Sequence, residues 1–203
     1  MHFAGVSLEM RIFGIRTESS PYLFICLAAA LFILPLRWLV AMVTAAVVHE
    51  AGHLLALRLS KVDVEKLALD LSGARIIVKP LTLKQEFLCA CAGPGAGLLL
   101  IGAGRFYPEL AVCGFAQSLY NLIPIMPLDG GRIFRCALEA MLSPWWSEKI
   151  LTVVEIVICG VMLYMGVVCL LNHLLFAACV LTAFVLLCAK RKIACKGESY
   201  AVQ

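Results

Sequence analysis

The chain has 203 residues, of which 63% are hydrophobic and 15% are charged, and its net charge is +4. A soluble domain is about half apolar and about one quarter charged, so this composition excludes a soluble globular domain and predicts a polytopic membrane protein with one domain. The basic residues stand at the ends of apolar runs and form no stripe interleaved with aromatic residues, which excludes a nucleic-acid partner.

Apolar runs of roughly bilayer length, about 20 residues, recur along the chain. We predict six spans, at residues 22–36, 38–58, 87–103, 110–126, 150–171 and 173–189. The first run is not followed by a small-residue cleavage site and a polar mature chain, so we expect a retained membrane helix. The third contains Gly93-Pro94-Gly95, which either shapes a cavity wall or allows close helix packing. Most of the ten cysteines lie within apolar runs, and we expect them to be reduced and to pack as small hydrophobes.

The segment at residues 61–80 has the pattern of a β-hairpin. Leucines occupy every second position from Leu67 to Leu71, Ser72-Gly73 follows, and a β-branched run covers residues 76–78. Period-two alternation around a glycine turn predicts two paired strands. Residues 10–15 could add a third strand, and the alternative for residues 61–80 is an amphipathic cytosolic loop.

The second predicted span contains the sequence HEAGH at residues 49–53. His49 and His53 are four residues apart, so on a helix they share one face and lie about 6 Å apart along the axis. Two such histidines can hold one zinc ion, and Glu50 can then act as the general base. The alternative is polar residues satisfied by neighbouring helices. An ionisable residue at the centre of a membrane helix costs roughly 2.5–3.5 kcal/mol, which favours the metal site.

A catalytic zinc needs a third protein ligand and one open position. The best candidate is Asp129 in NLIPIMPLDGG, residues 121–131, because irregular backbone at membrane depth is expected where it lines protein or a water-filled cavity. The alternative for Asp129 is a helix-ending turn residue. His2 at the terminus and His173, expected on the opposite side of the membrane, are poorer candidates. Asn121, about two helical turns before Asp129, either binds the substrate or bonds between helices.

The distribution of positive charge predicts the orientation. With the N-terminus in the cytosol, all of the 17 lysines and arginines except Arg37 and Arg105 fall on the cytosolic side, as the positive-inside rule requires. Both termini are therefore expected in the cytosol. The second and fourth spans then both run inward, which places His49, His53 and Asp129 at a similar depth near the cytosolic face.

HEAGH in a membrane helix, followed by NLIPIMPLDGG at the inner end of a later one, resembles the site-2 protease family of intramembrane zinc metalloproteases over most of the chain. The resemblance implies peptide-bond hydrolysis with one zinc ion per chain. It implies zinc ligation by His49, His53 and Asp129, acid and base catalysis by Glu50, and substrate binding by Asn121. It also implies a small β-sheet that pairs with an unwound substrate strand.

The six-span layout without a PDZ insertion most resembles the sporulation branch, of the stage IV sporulation protein FB type. That branch implies a membrane-spanning or membrane-associated substrate such as a pro-sigma factor, with regulatory membrane subunits as partners. Its members usually carry a C-terminal CBS domain, whereas residues 193–203 are expected to form a short cytosolic tail. Control by ATP through such a domain is therefore not expected. The family's Gly-Pro segment often continues to an asparagine, which residues 93–97 lack.

The expected protein is thus an all-α polytopic membrane protein with about six transmembrane helices and a small cytosolic-side β-sheet. Residues 1–192 are expected to form a single integral membrane metalloprotease domain in the lipid bilayer of the cell membrane, with the active site toward the cytosol. Two alternatives are a membrane metal-binding or transport protein and a catalytically inactive protease homologue. A single ligand cluster at one depth argues against transport, and the intact Glu50 argues against inactivity.

Overall fold

The computed structural model describes residues 8–12, 15–70, 73–172 and 201–202. Besides a 3₁₀ turn at Leu100–Arg105, the helices and strands are, in chain order, β1 (Leu8–Ile12), β2 (Ile15–Ser19), α1 (Pro21–Ile33), α2 (Leu36–Leu59), β3 (Val64–Asp70), β4 (Gly73–Val78), α3 (Leu83–Leu99), α4 (Pro108–Asn121), α5 (Asp129–Glu139), α6 (Pro144–Leu171) and β5 (Ala201–Val202).

Three helices in the described part of the chain are long and apolar enough to cross a membrane: α2, α3 with its 3₁₀ extension, and α6. They correspond to the second, third and fifth predicted spans. Helices α1 and α4 have 13 and 14 residues, fewer than the roughly 20 that a bilayer requires. The sixth predicted span, at residues 173–189, lies outside the described residues, so the count of six spans stays a prediction.

Helix α3 begins four residues before the predicted span because Thr82 caps it. The backbone N–H of Gln85 donates to Thr82 Oγ1 at 3.4 Å, and the N–H of Thr82 donates to Gln85 Oε1 at 3.0 Å. This reciprocal pair is a capping box, which satisfies two backbone donors at the start of a helix. The helix then continues through Pro94 to Leu99.

The predicted fourth span, residues 110–126, is too long at its C-terminal end. Helix α4 ends at Asn121, and residues 122–128 are irregular, because Pro124 and Pro127 have no N–H to continue a helical ladder. The Met126–Pro127 peptide bond is cis. Helix α5, which begins at Asp129, was not predicted.

The strands form one five-stranded sheet in the order β1-β2-β3-β4-β5. Neighbouring strands are antiparallel except β2 and β3, which are parallel. The pairing of β3 with β4 confirms the predicted hairpin, with Leu67 opposite Ile76. The single extra strand predicted at residues 10–15 corresponds to two strands, β1 and β2. The predicted tail contains a short strand, β5, that pairs with β4.

Helix α2 ends in a Schellman motif. The N–H of Lys61 donates to the carbonyl of Arg58, and the N–H of Val62 donates to the carbonyl of Leu57, both at 3.0 Å. Lys61 adopts the left-handed conformation, with φ of 56°. This motif satisfies backbone carbonyls that would otherwise end the helix without partners.

The described structure divides into two compact units. The single domain expected for residues 1–192 stays a prediction. In the first unit, which contains the described residues up to Asn121 together with β5, a cluster of Leu57, Ile76, Val78 and Cys89 packs the hairpin against α2 and α3. In the second, which begins at Leu122, the core contains Ile125 and Leu128.

Candidate metal centre

His49 and His53 face each other from successive turns of α2. Both are buried, with exposures of 3% and 0%, and both lie on the stripe of α2 that also buries Ala41, Ala45 and Gly52. Their Nε2 atoms are 3.2 Å apart, and their ring planes are inclined by 80°. The spacing of four residues therefore brings the two imidazoles together, as the sequence predicts.

The backbone of α3 orients His53. The Nδ1 atom of His53 lies 2.8 Å from the carbonyl oxygen of Cys89, and because a carbonyl only accepts, Nδ1 carries the proton and donates. Nε2 of the neutral ring then carries a lone pair. Metal-ligating histidines nearly always donate their other ring N–H to a carbonyl or carboxylate in this way, which sets the tautomer and the ring orientation.

Asp129 is the first residue of α5 and is 3% exposed. The N-terminus of a helix carries partial positive charge, which stabilises a carboxylate there. Arg132, one turn later, is 4% exposed, and its Nη1 lies 3.7 Å from Asp129 Oδ1. Buried charges are ordinarily paired, so this guanidinium stabilises the ionised form of Asp129, the form that binds a metal.

The first turn of α5 lies directly against the irregular segment before it. A β-carbon at Gly131 would lie 2.6 Å from the carbonyl oxygen of Ile125, which is closer than real β-carbons approach a backbone atom. The Gly130-Gly131 pair is therefore required by this close approach. The position of Asp129 is consequently set together with that of residues 122–128.

The three candidate ligands come together. Donor atoms of His49, His53 and Asp129 all lie within 4.8 Å of one another, and all three residues are buried. Two nitrogens bound tetrahedrally to zinc at about 2.0–2.1 Å are roughly 3.3 Å apart, close to the 3.2 Å between the two Nε2 atoms. Two imidazoles and one carboxylate form a donor set of the type found in catalytic zinc sites with one open position. The residues present therefore fit a metal ion.

Gly93 of α3 leaves space around the imidazoles. A β-carbon at position 93 would overlap Nε2 and Cε1 of His53 and would lie 2.9 Å from Nε2 of His49. The neighbouring Gly95, by contrast, has nothing within 4 Å of its β-carbon position. Of the two alternatives for the Gly93-Pro94-Gly95 segment, this contact favours a wall of the site at Gly93.

The two remaining candidate residues are placed less directly. Glu50 follows His49 on α2 and is half-buried. Asn121 is the last residue of α4, is half-buried, and donates through Nδ2 to the carbonyl of Gln117 in its own helix at 3.1 Å. Their roles as catalytic base and substrate ligand stay predictions.

Three contributors to the site were missed. The sequence identifies Arg132 only as one of the basic residues on the expected cytosolic side, although its spacing of three residues from Asp129 would place the two side chains on one helical face. The Cys89 carbonyl belongs to the main chain and has no residue-specific signal. The contact of Gly93 with the two imidazoles cannot be predicted from the sequence, because the approach of α3 to α2 depends on residues far apart in the chain.

Comparison with known proteins finds similarity over parts of the chain, and the family model covers the second motif. A model of peptidase family M50 matches residues 100–165. A protein of Synechocystis sp. named as a zinc metalloprotease is 31% identical over 120 residues, which cover 48% of this chain and 32% of that protein. A zinc metalloprotease of Methanocaldococcus jannaschii is 30% identical over 118 residues, covering 51% of this chain and 35% of that protein. The matched residues span about one third of the length of these curated relatives.

A solved structure is similar over nearly the whole chain. The site-2 protease from Methanocaldococcus jannaschii superposes with a TM-score of 0.66 at 22% identity, covering 92% of this chain and 94% of that one. The chain thus has the fold of a site-2 protease. The family match and the two relatives support peptidase family M50, a family of metallopeptidases.

Proposed function

We propose that this chain is an intramembrane zinc metalloendopeptidase of the site-2 protease family, which hydrolyses a peptide bond of a membrane-spanning or membrane-associated protein. The observation that carries the proposal is the group of buried donor atoms from His49, His53 and Asp129. Two of these ligands belong to a helix that is long and apolar enough to cross a membrane. Ionisable groups in such helices mark functional sites.

The proposed metal ligands are Nε2 of His49, Nε2 of His53 and a carboxylate oxygen of Asp129, with one zinc ion per chain. When bound, zinc would act as a Lewis acid that polarises the scissile carbonyl and lowers the pKa of water at the site to about 7. The Cys89 carbonyl keeps the proton of His53 on Nδ1, and Arg132 stabilises the ionised Asp129. Both contacts keep the ligands in the protonation states that bind a metal.

Glu50 is the proposed general base and acid. Its carboxylate accepts a proton from the attacking water and then donates that proton to the nitrogen of the leaving amine. Its place next to His49 on α2 is the arrangement on which the HExxH motif depends. The Asn121 side chain is proposed to hydrogen-bond the substrate backbone through its amide oxygen, while its Nδ2 donates to Gln117.

A substrate helix hides its carbonyl groups, so cleavage requires local unwinding of the substrate. The β-sheet supports a route for this, because a strand at its edge can pair with an extended segment through main-chain hydrogen bonds. The hairpin packs through Ile76 and Val78 onto Leu57 and Cys89, one turn from His53 on α2 and at the residue whose carbonyl orients that histidine. The edge strands are β1 and β5, and β5 pairs directly with β4, so an extended segment that adds at β5 would be separated from the packed strand β4 by one strand.

The membrane arrangement is part of the proposal. We propose a multi-pass protein of the cell membrane with both termini and the active site on the cytosolic side, on the strength of the distribution of lysine and arginine. The cleavage of a pro-sigma factor under the control of membrane partners is the expectation that the sporulation resemblance adds.

Metal content tests the function without a known substrate. Wild type and Asp129→Ala are purified in detergent, and zinc per chain is counted by mass spectrometry. We expect about one zinc ion in the wild type and a clear reduction in the variant, since removal of one of three protein ligands weakens the site. Equal zinc in both would exclude Asp129 as a ligand. A wild-type protein that takes up no zinc after reconstitution would contradict the proposed protease function and would favour an inactive homologue.

A further inference from the structure

Helix α6 contains a buried carboxylate that the proposed mechanism does not use. Glu155 is 5% exposed and lies within the helix that is the longest of the candidate spans in the described chain. A carboxylate in an apolar membrane helix is costly and is retained where it has a specific partner. Glu155 is therefore expected to have such a partner.

Glu155 contacts the irregular segment that precedes Asp129. Its Oε1 accepts a hydrogen bond of 2.8 Å from the backbone N–H of Met126. The segment at residues 122–128 forms neither helix nor strand, so the N–H of Met126 has no helical or strand ladder to join. An unsatisfied buried N–H is destabilising, and a bond to a carboxylate is stronger than one to a neutral acceptor.

The same face of α6 also holds the side chains of this segment. Buried Ile125 and Leu128 pack against Ile158, Cys159 and Met162. With Glu155, these positions are spaced i, i+3, i+4 and i+7, which places them on one face of a helix. A hydrogen bond to Glu155 and the apolar contacts of Ile125 and Leu128 thus attach the segment to α6.

This attachment extends to Asp129. Asp129 follows Leu128 directly and begins α5, and the close approach of Gly131 to Ile125 holds the first turn of α5 against the same segment. A shift of residues 125–128 would therefore move the Asp129 carboxylate. Hydrophobic contacts alone permit sliding, whereas a short hydrogen bond from one specific N–H defines the register.

We propose that Glu155 is a positioning residue for the metal site: by accepting the N–H of Met126, it holds the segment that presents Asp129 to the metal. The inference rests on the proposed function, because it needs Asp129 to be a metal ligand. Glu155 touches neither metal nor substrate in this role. Contacts that orient a ligand from behind typically change metal affinity by about 10–100-fold when removed.

The test compares three variants in detergent after metal removal. Glu155→Leu deletes the acceptor, whereas Glu155→Gln keeps a side-chain oxygen that can accept from Met126. Glu148→Leu makes the same chemical change at an exposed position of α6 and is the matched control. Zinc affinity is measured by competition with a chelator of known affinity, and the visible absorption spectrum of the Co²⁺-substituted protein reports the coordination geometry.

We expect Glu155→Leu to weaken zinc binding at least about 10-fold and to alter the Co²⁺ spectrum, while Glu155→Gln and Glu148→Leu stay within about threefold of the wild type. A purely structural Glu155 would lower the melting temperature of Glu155→Leu and leave zinc affinity and spectrum unchanged, which would overturn the inference. Equal weakening in the Gln and Leu variants would also overturn it, because the acceptor would then be irrelevant.

A second variant covers the case in which Glu155→Leu is not recovered as folded protein. Glu155→Asp keeps the charge but shortens the side chain by one methylene, so its oxygen falls short of the Met126 N–H. Weaker zinc binding and an altered Co²⁺ spectrum are expected, and wild-type values would overturn the inference. If Asp129→Ala binds zinc like the wild type, the proposed function fails instead. If only Asp129→Ala loses zinc, the inference alone fails.

Discussion

Gly93 lies so close to His53 that a β-carbon at position 93 would overlap the Nε2 atom that is the proposed metal ligand. Pro94 follows directly within α3, so the helix continues at the point of closest approach. Absence of a side chain at position 93 is therefore a condition for the site, because any β-carbon there would displace the imidazole.

We predict that Gly93→Ala weakens zinc binding at least about 10-fold, an effect of the size seen when the orientation of a ligand is disturbed. Gly95→Ala is the control, since its β-carbon meets no atom within 4 Å and alanine is the better helix former. Chelator competition on the two purified variants measures the effect. Equal affinities in the two variants would show that the ring can move aside without loss.

Glu50→Gln is predicted to retain about one zinc ion per chain and to lose cleavage by at least about 100-fold, the usual contribution of a general base. Gln keeps the shape of the side chain but cannot accept a proton. Cleavage is measured by mass spectrometry of new termini in a mixture of single-span membrane proteins incubated with the enzyme in detergent.

The matched control for Glu50→Gln is Glu148→Gln, the same change at an exposed position of α6, which should cleave like the wild type. A Glu50→Gln protein that cuts at the wild-type rate would eliminate Glu50 as the base.

Lys61→Gly is predicted to stabilise the protein. Lys61 has φ of 56°, a conformation that costs an L-residue roughly 1–2 kcal/mol, and glycine relieves this although its unfolded state has more entropy. A net gain of about 0.5–1 kcal/mol in the free energy of unfolding is expected. Ser60→Gly, at φ of −80°, should have the opposite sign. Reversible unfolding in mixed detergent measures both changes, and the same sign in both would contradict the Schellman interpretation.

Ser118→Ala is predicted to lower the free energy of unfolding by about 0.5–1.5 kcal/mol. The buried hydroxyl of Ser118 on α4 donates to the carbonyl of Pro94 on α3 at 3.0 Å, so its loss removes a bond between helices. Ser147→Ala is the matched control, because that buried hydroxyl donates to the carbonyl of Ser143, the N-cap of the same helix, a local bond that contributes little to stability. Losses of equal size in the same unfolding assay would argue against a special role for Ser118.

The sequence predicts the parts of the site that depend on local geometry. His49, Glu50 and His53 lie within two turns of one helix, and the helical repeat alone places both imidazoles on one face. Asp129 could be selected because a carboxylate among prolines and glycines is unusual within an apolar chain. The hairpin was predictable for the same reason, since alternation and a glycine turn are local signals.

The parts that were missed depend on contacts between distant residues. Helix α5 was hidden because Gly130-Gly131 is a helix-breaking pattern, and only the approach of Ile125 explains it. The burial of Arg132 beside Asp129 follows from where α5 packs, which its sequence does not state. The predicted fourth span ends five residues beyond the end of α4 at Asn121. The sequence remains apolar past Asn121, but the prolines end the helix.

The hydrogen bond that orients His53 is accepted by the main-chain carbonyl of Cys89. This affects what substitutions at position 89 can reveal. Every residue type at position 89 carries the same carbonyl, so substitutions there retain the acceptor as long as α3 keeps its path. A mutational scan at position 89 would report on the side chain, which packs in the core cluster and whose Sγ lies 3.9 Å from His53 Nδ1, and not on the carbonyl. The contact that orients His53 is thus preserved by the path of the α3 backbone. A comparison of residue identities at position 89 would not detect it.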